Sequence, residues 1–286
     1  MAEPIPDIRG PKLPRFQGDP RDIEFVKLLS TAEERLPGPT EEEIKNKSQR
    51  HSSSANIPHS RVFQIKIGGS RFALKVFNFF KLEDLRPFVP GGEKLLTDKV
   101  VRYHLDPFYA ECRAFGLLVQ EKKDHRLAVR CHGYSLLLEC VGKKIRELFK
   151  IDDWHRQAEH GQEKLRAIVK DYIPFKSTCG RKKLDTMRSN LKQLNELGVY
   201  NMDIREDNYR GGRLFDFSLA ITSPHINLSL KLWSKRQIEE DVKYDLECFE
   251  SFAKRENEKQ AEERKATQPL ASGRKLRSHG KETSAI

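Results

Sequence analysis

The sequence predicts an α+β fold, with antiparallel strands in the first half of the chain and helices in the second. Three observations lead there. Phe63, Ile65 and Ile67 alternate with Gln64 and Lys66, Gly68-Gly69-Ser70 turns the chain, and Phe72, Leu74 and Val76 alternate with Ala73 and Lys75, which is a hairpin pattern. Asp106-Pro107 followed by Phe108, Cys112, Phe115 and Val119 has the start signal and spacing of a helix with one buried face. From Leu184 onward, Met187, Leu191 and Leu194 recur on one helical face, and Gly198 stands where a carboxy-terminal cap belongs.

With 286 residues, 37% of them hydrophobic, the chain has material for one large domain or two small lobes with tails. Its formal charge of +11 is spread along the whole length, which suggests an acidic or nucleic-acid-rich setting without locating a binding face. Cys112, Cys131, Cys140, Cys179 and Cys248 are odd in number and never spaced as Cys-x-x-Cys. Neither a disulfide framework nor a zinc site is implied, and a reducing intracellular compartment is expected. The first residues lack the basic-then-apolar pattern of a signal peptide, and no apolar run approaches a membrane span. A soluble, non-secreted protein without a membrane partner is therefore expected.

Residues 1–54 read as an amino-terminal arm: irregular over 1–18, then a short helix opened by Asp19-Pro20 and carrying Ile23, Val26 and Leu29, stopped by Pro37-Gly38-Pro39 and followed by a mobile loop through His51-Ser52-Ser53-Ser54. On the second strand of the hairpin, Ala73 and Lys75 share a face with Phe77, so an amine stands on an otherwise apolar surface. Taken alone, Lys75 reads as a lysine on a solvated face, because unpaired lysine is seldom buried. Residues 81–103, with Pro87, Pro90 and Gly91-Gly92, read as an irregular insertion. Glu111 borders the apolar stripe of the next helix and is either an ordinary surface residue or the carboxylate that holds Lys75.

Residues 127–131 and 134–140 read as two strands joined by a His132-Gly133 turn, and residues 141–163 are amphipathic in places but fit no single element. Residues 165–172 form a strand candidate that leaves the sheet at Ile173-Pro174. Arg181-Lys182-Lys183 decorates the start of the Leu184 helix. A last amphipathic helix carries Ile238, Val242, Leu246, Phe249 and Ala253 on one face. From residue 254 the chain is rich in Lys, Glu and Arg and is expected to be a short helical extension and then a basic, mostly disordered tail. Residues 273–277 are read as solvated tail, the one place where a nuclear-import signal or a nucleic-acid contact is conceivable. No aromatic interleaving supports base stacking.

Residues 200–218 constrain the function most. Asp203 precedes Asn208 by five residues, and a short strand, a Gly211-Gly212 turn and a second strand then deliver Asp216-Phe217. Carboxylate and amide oxygens are hard ligands of the kind Mg²⁺ takes, and a further carboxylate near an acceptor hydroxyl takes its proton, so one loop and one hairpin hold what an ATP-handling site needs. Asp and Asn five apart often only cap a turn. Together with Ala73-Leu74-Lys75 and Glu111 upstream, in matching order, they resemble the signature set of the protein kinases over residues 55–225. More narrowly, residues 200–209, Phe215-Asp216-Phe217-Ser218 and the strand Ala73-Leu74-Lys75-Val76-Phe77 resemble a fungal family, the Fta-two-type subunits of the Sim-four kinetochore complex.

The resemblance implies a two-lobed protein-kinase-like fold: a small, mainly antiparallel β amino-terminal lobe over residues 55–175, a truncated, mainly helical carboxy-terminal lobe over 176–253, and a tail over 254–286. It implies ATP and Mg²⁺ as cofactors, with Lys75 on the α- and β-phosphates and paired with Glu111, and Ala73 as a further nucleotide-binding position. Asp216 would chelate Mg²⁺, Asn208 would hold a second metal position and Asp203 would accept the proton of the substrate hydroxyl. Arg205 stands where a lysine often follows that Asp and keeps positive charge near the transferring phosphate.

The departures bear on activity. No Gly-x-Gly-x-x-Gly loop precedes the Lys75 hairpin, and residues 51–59 hold no glycine. Asn201-Met202 stands where kinases have His-Arg, so the usual support for the catalytic Asp is expected to be missing; Ser218 replaces a glycine, and no Ala-Pro-Glu follows. Two functions are compatible with this set. One is an atypical phosphotransferase with Asp203 as base. The other is an assembly module with protein partners in a chromatin or kinetochore complex, nuclear or cytoplasmic, in which the nucleotide is structural or vestigial.

Overall fold

The computed structural model describes residues 9–30, 59–86, 89, 96–174 and 181–267. Strands β1 (Glu24–Leu28), β2 (Ser60–Ile67), β3 (Ser70–Phe77), β4 (Cys131–Leu136) and β5 (Arg166–Asp171) form an antiparallel sheet in the order β1-β2-β3-β5-β4. The β2–β3 hairpin has the expected turn: Ile67 pairs with Ser70, and Gly68 and Gly69 both take positive φ, +56° and +79°, as a tight two-residue connection requires. Register then places Ala73 opposite Lys170 and Lys75 opposite Ile168.

Strand periodicity divides the sheet into two faces. One face, with Phe63, Ile65, Leu74, Val76, Ala167 and Val169, is covered by Val141, Ile145 and Trp154. The first two of these lie on α5 (Glu139–Phe149), within the stretch whose structure the sequence leaves open. The other face carries Lys75, Phe77, Ile168 and Lys170, and it looks toward α3 (Pro107–Gln120), whose first turn is capped by Asp106 accepting from Phe108 N. Asp106 also takes the buried Arg166 guanidinium at 2.9 Å, which ties the start of α3 to β5. Helices α6 (Arg181–Glu196) and α7 (Lys235–Thr267) follow. Between them lie the short pairs β6 (Val199–Tyr200) with β9 (Ile221–Thr222), and β7 (Tyr209–Arg210) with β8 (Arg213–Leu214).

Several expectations are corrected. Asp19-Pro20 opens only a single 3-10 turn, Pro20–Asp22, and the chain continues as strand β1. Tertiary packing decides this, because an extended Phe25 meets Phe63 and Phe149 edge to face at 5.4 and 5.8 Å. The proposed stop at Pro37-Gly38-Pro39 and the mobile loop lie outside the described residues. Residues 81–103 are not wholly irregular: α1 (Leu82–Leu85) and α2 (Asp98–Leu105) bury Leu85 and Val101 in a small separate cluster. His132-Gly133 is no turn but lies within β4, at a register shift; of the first expected strand, Leu127 ends α4 (Asp124–Leu127), Ala128 makes only an isolated bridge to Leu214 and Cys131 begins β4, and Glu139 already begins α5. Helix α7 runs on through residue 254, and the tail beyond 267 lies outside the described residues. Its buried face is Asp241, Asp245, Phe249, Phe252 and Ala253; Ile238, Val242 and Leu246 are only half-buried.

Residues 9–18 of the arm are irregular as expected, yet they are docked. Leu13 is buried, and Phe16 N and Pro14 O bond Tyr134 at 2.7 and 3.1 Å. It crosses α3 at Gly116, where an added Cβ would lie 2.6 Å from Lys12 C and 2.7 Å from Leu13 N. Gly116→Ala gains at most about 1 kcal/mol of helix propensity against about 1–3 kcal/mol of overpacking. We therefore expect a net loss, read as a lower urea midpoint. A raised midpoint would contradict the packed arm.

Arg113 of α3 is buried under Tyr103 (4.7 Å to the ring), donates to Thr222 O at 2.8 Å and to Pro224 O, and lies against His104 and His225. Asn227 N donates to His225 Nδ1 and His225 Nε2 donates to the His104 carbonyl, both at 3.0 Å, which fixes a neutral tautomer. Burial first, then the neighbouring ring and Arg113, lower His104 to about 2. Burial and Arg113, opposed by the His104 carbonyl and Asp241, lower His225 to about 3. The unfolded chain therefore binds protons from about pH 6.5 downward that the folded protein refuses. Stability is present above that pH and is lost below it by up to about 1.4 kcal/mol per histidine per pH unit. Urea titrations from pH 7 to pH 5 should show a falling midpoint, with a shallower fall in His225→Gln; a flat profile would argue against neutral buried rings.

Candidate functional site

Lys75 is 2% exposed and does not face solvent. Its Nζ donates to Glu111 Oε2 at 2.6 Å and to Asp216 Oδ1 at 2.7 Å. Glu111, wholly buried on α3, gives its other oxygen to Lys170 Nζ, also at 2.6 Å, and Lys170 donates in turn to the Phe215 carbonyl at 2.7 Å. Two ammonium groups and two carboxylates thus close an electrically neutral network between β3, α3, β5 and the segment after β8. Its open end is Asp216, with a side chain 25% exposed.

Electrostatics follow the geometry. Burial works against the Lys75 ammonium, but Asp216 and Glu111 outweigh it and raise its pKa. Burial likewise pushes the Asp216 carboxyl up, and Lys75, Lys170 and the Ser218 N–H, which donates to Oδ1 at 2.9 Å, overcome it and hold the group far below the usual carboxylate range. Phe217 packs edge to face on Phe115 at 5.0 Å, which fixes the Asp216 turn against α3.

Asp203, Arg205 and Asn208 form a second group. Asn208 Nδ2 donates to Asp203 O and Oδ2, both at 2.8 Å, and Arg205 Nη2 lies 3.1 Å from Oδ2. Burial raises the Asp203 carboxyl above its ordinary value, against the pull of Arg205 and Asn208. The two groups are joined by Asn201, whose Nδ2 donates to Asp216 O at 2.6 Å and whose Oδ1 accepts from Asp203 N at 3.1 Å. The support expected to be missing at Asn201 is therefore supplied by that side chain, in a different way. Ala73, half-buried on the Lys75 face, is placed beside Lys170 by register and makes no polar link to the others.

Three further residues of the site, Lys170, Asp245 and His59, were not among those expected from the sequence. Lys170 follows Ile168 on the inner face of a strand candidate, and Asp245 interrupts an apolar helix face; in each case a charge on a buried stripe was the available signal. His59, just before β2, has Nδ1 3.4 Å from Ser218 Oγ. Asp245 is fully buried and accepts Asn201 N at 2.6 Å and Met202 N at 2.8 Å. Those two bonds hold Met202 at a φ of +65°, a conformation that a non-glycine residue keeps only where its surroundings enforce it.

A family model described as "Kinetochore Sim4 complex subunit FTA2" matches residues 1–221, well over half of the chain. The chain belongs to that family. The FTA2 match takes in Lys75, Glu111, Lys170, Asp203, Asn208 and Asp216, while Asp245 lies beyond it. Comparison with curated proteins gives no match. Among the described residues no helix is long and apolar enough to cross a membrane.

For this FTA2 chain, Asp245→Ala leaves two buried backbone N–H groups without their acceptor, at about 1–3 kcal/mol each. The expected result is a matching loss of stability with faster amide exchange confined to Asn201, Met202 and their neighbours. Unchanged exchange there in a folded variant would mean that Asp245 does not hold the loop.

Proposed function

We propose that this chain is a kinase-like-fold subunit of a kinetochore complex, with a nuclear location and protein partners in that complex, and that it binds ATP with Mg²⁺ at Lys75, Asn208 and Asp216. The observation that carries the reading is the Lys75 ammonium held between Glu111 and Asp216, the arrangement the resemblance implies for a phosphate-binding lysine. The antiparallel sheet bearing Lys75 and the more helical part bearing Asp203 and Asp216 support a two-lobed reading, with the lobes over residues 55–175 and 176–253. Family membership supports the kinetochore assignment.

The side chains present fit the cofactors. Asp216 is part-exposed and ionised, and Asn208 gives its NH₂ to Asp203, so its amide oxygen would be the atom that takes a metal. Both are hard oxygen ligands. A Mg²⁺ ion held there would complete its shell with phosphate oxygens and water. ATP with its metal supplies a phosphoryl group to an acceptor hydroxyl. Lys75 would bind the phosphates, and Arg205 would keep positive charge beside Asp203.

The lack of a glycine-rich loop favours a role in assembly over turnover, since residues 29–59 contain Gly38 alone. The alternative, an active phosphotransferase, draws on Asp203: its side chain is 29% exposed and its carboxyl is raised, which suits a proton acceptor within reach of a substrate.

Thermal denaturation tests the reading. With ATP·Mg²⁺ at about 100 times its Kd, the native state gains about 2.7 kcal/mol, which for a chain of this size raises Tm by about 5–10 °C. Asp216→Ala should lose the shift. Asp203→Ala should keep it while abolishing any phosphoryl transfer. No shift at millimolar ATP·Mg²⁺ would end the nucleotide reading, and transfer surviving in Asp203→Ala would remove that residue as base.

A further inference from the structure

We propose that Lys170 is a positioning residue that holds Glu111 and the Phe215–Asp216 segment independently of Lys75, so that Lys75 is able to exchange Asp216 for a phosphate without leaving a buried carboxylate unbalanced. The phosphate half of this inference rests on the nucleotide reading above; the clamp itself does not.

The charges divide into two pairs. Lys170 faces Glu111 Oε1 and Lys75 faces Glu111 Oε2, both at 2.6 Å, and only Lys75 also reaches Asp216, at 2.7 Å. Lys170 therefore balances Glu111 by itself, and Lys75 is balanced by Asp216. If Lys75 were the sole cation on Glu111, any movement of the amine toward an incoming anion would weaken the compensation of a carboxylate with no access to water, a costly state. With Lys170 in place, a metal ion that engages Asp216 and a phosphate that engages Lys75 would replace one pair and leave the other untouched.

The second bond of Lys170 adds a mechanical element. Its Nζ holds the carbonyl of Phe215, the residue directly before Asp216, so the backbone that carries the carboxylate stays fixed when Lys75 lets go. The stem lies beside Ala73 in the sheet, and the ammonium stands 5.5 Å from the Phe115 ring and 5.9 Å from the Phe215 ring, which leaves it little freedom to swing toward a ligand. The lysine that moves and the lysine that stays are thus distinguished by their partners: Lys75 ends on a part-exposed carboxylate, Lys170 on a buried carboxylate and a carbonyl.

Two measurements test this. Without nucleotide, thermal melts of Lys75→Met, Lys170→Met and the double variant are compared. Because each lysine backs up the other on Glu111, the Tm loss of the double variant should exceed the sum of the single losses; a simply additive result overturns the shared clamp. With nucleotide, ATP·Mg²⁺ titrations should show binding at least tenfold weaker in Lys170→Met than in the unaltered protein at a temperature where circular dichroism shows both folded. Should Lys170→Met not fold, Lys170→Gln keeps a donor for Phe215 O, and binding at least threefold weaker is expected. Unchanged affinity in a folded variant at position 170 overturns the positioning role. Absence of ATP binding by the unaltered protein overturns the nucleotide reading and the exchange by Lys75, while the Tm comparison still decides the clamp.

Discussion

The buried charges Lys75, Glu111 and Lys170, with the part-exposed Asp216 that closes their network, are the constraint around which the elements are set. Burying an ion is expensive, and an apolar cluster of equal volume would commonly be no less stable, so such a network is tolerated only if every partner is held at bonding distance. Each partner comes from a different segment, and each segment is secured by separate packing. Sheet register sets Lys75 and Lys170 two residues out of step on one face. Asp106, capping α3 and paired with Arg166, fixes where that helix begins and hence where Glu111 points. Phe217 against Phe115 fixes the Asp216 turn. A rotation of α3 by one residue would remove Glu111 from both amines, so the charges select one arrangement of elements that apolar packing alone would define less sharply.

What was legible in the sequence follows from this. The Gly68-Gly69 hairpin, the Asp106-Pro107 helix start and the Leu184 helix are local signals, and local physics decides them. The likeness of Lys75, Glu111, Asp203, Asn208 and Asp216 to an ordered motif implied one site with Lys75 paired to Glu111, and the division into two linked groups comes from the folded geometry. The misreadings all involve tertiary context. Glu24–Leu28 is a strand because Phe25 has aromatic partners across the sheet and on α5, which a local cap signal at Asp19 does not register. Gly133 looks like a turn residue, yet its missing side chain makes room for the arm: an added Cβ would lie 2.6 Å from Phe16 N. Asp245 and Lys170 each sit on an apolar stripe, and nothing nearby in the chain announces the backbone amides or the carboxylate that make their burial tolerable.

The loop at residues 201–208 shows how far such a site is built in advance. Asn201 links Asp216 to Asp203, Asn208 donates to both the carbonyl and the carboxylate of Asp203, and Asp245 pins the strained Met202 from outside. Every one of these bonds is made between the protein's own groups. The positive charge of the two lysines is likewise already spent on Glu111 and Asp216. A nucleotide at the proposed site would therefore gain only the difference between a phosphate and Asp216 as the partner of Lys75. Binding under those terms would be modest in energy and would depend on a metal ion to occupy Asp216 in exchange. The same self-sufficiency suits a complex subunit, because a fold whose charged centre is complete without ATP presents one fixed surface to its partners whether or not nucleotide is bound.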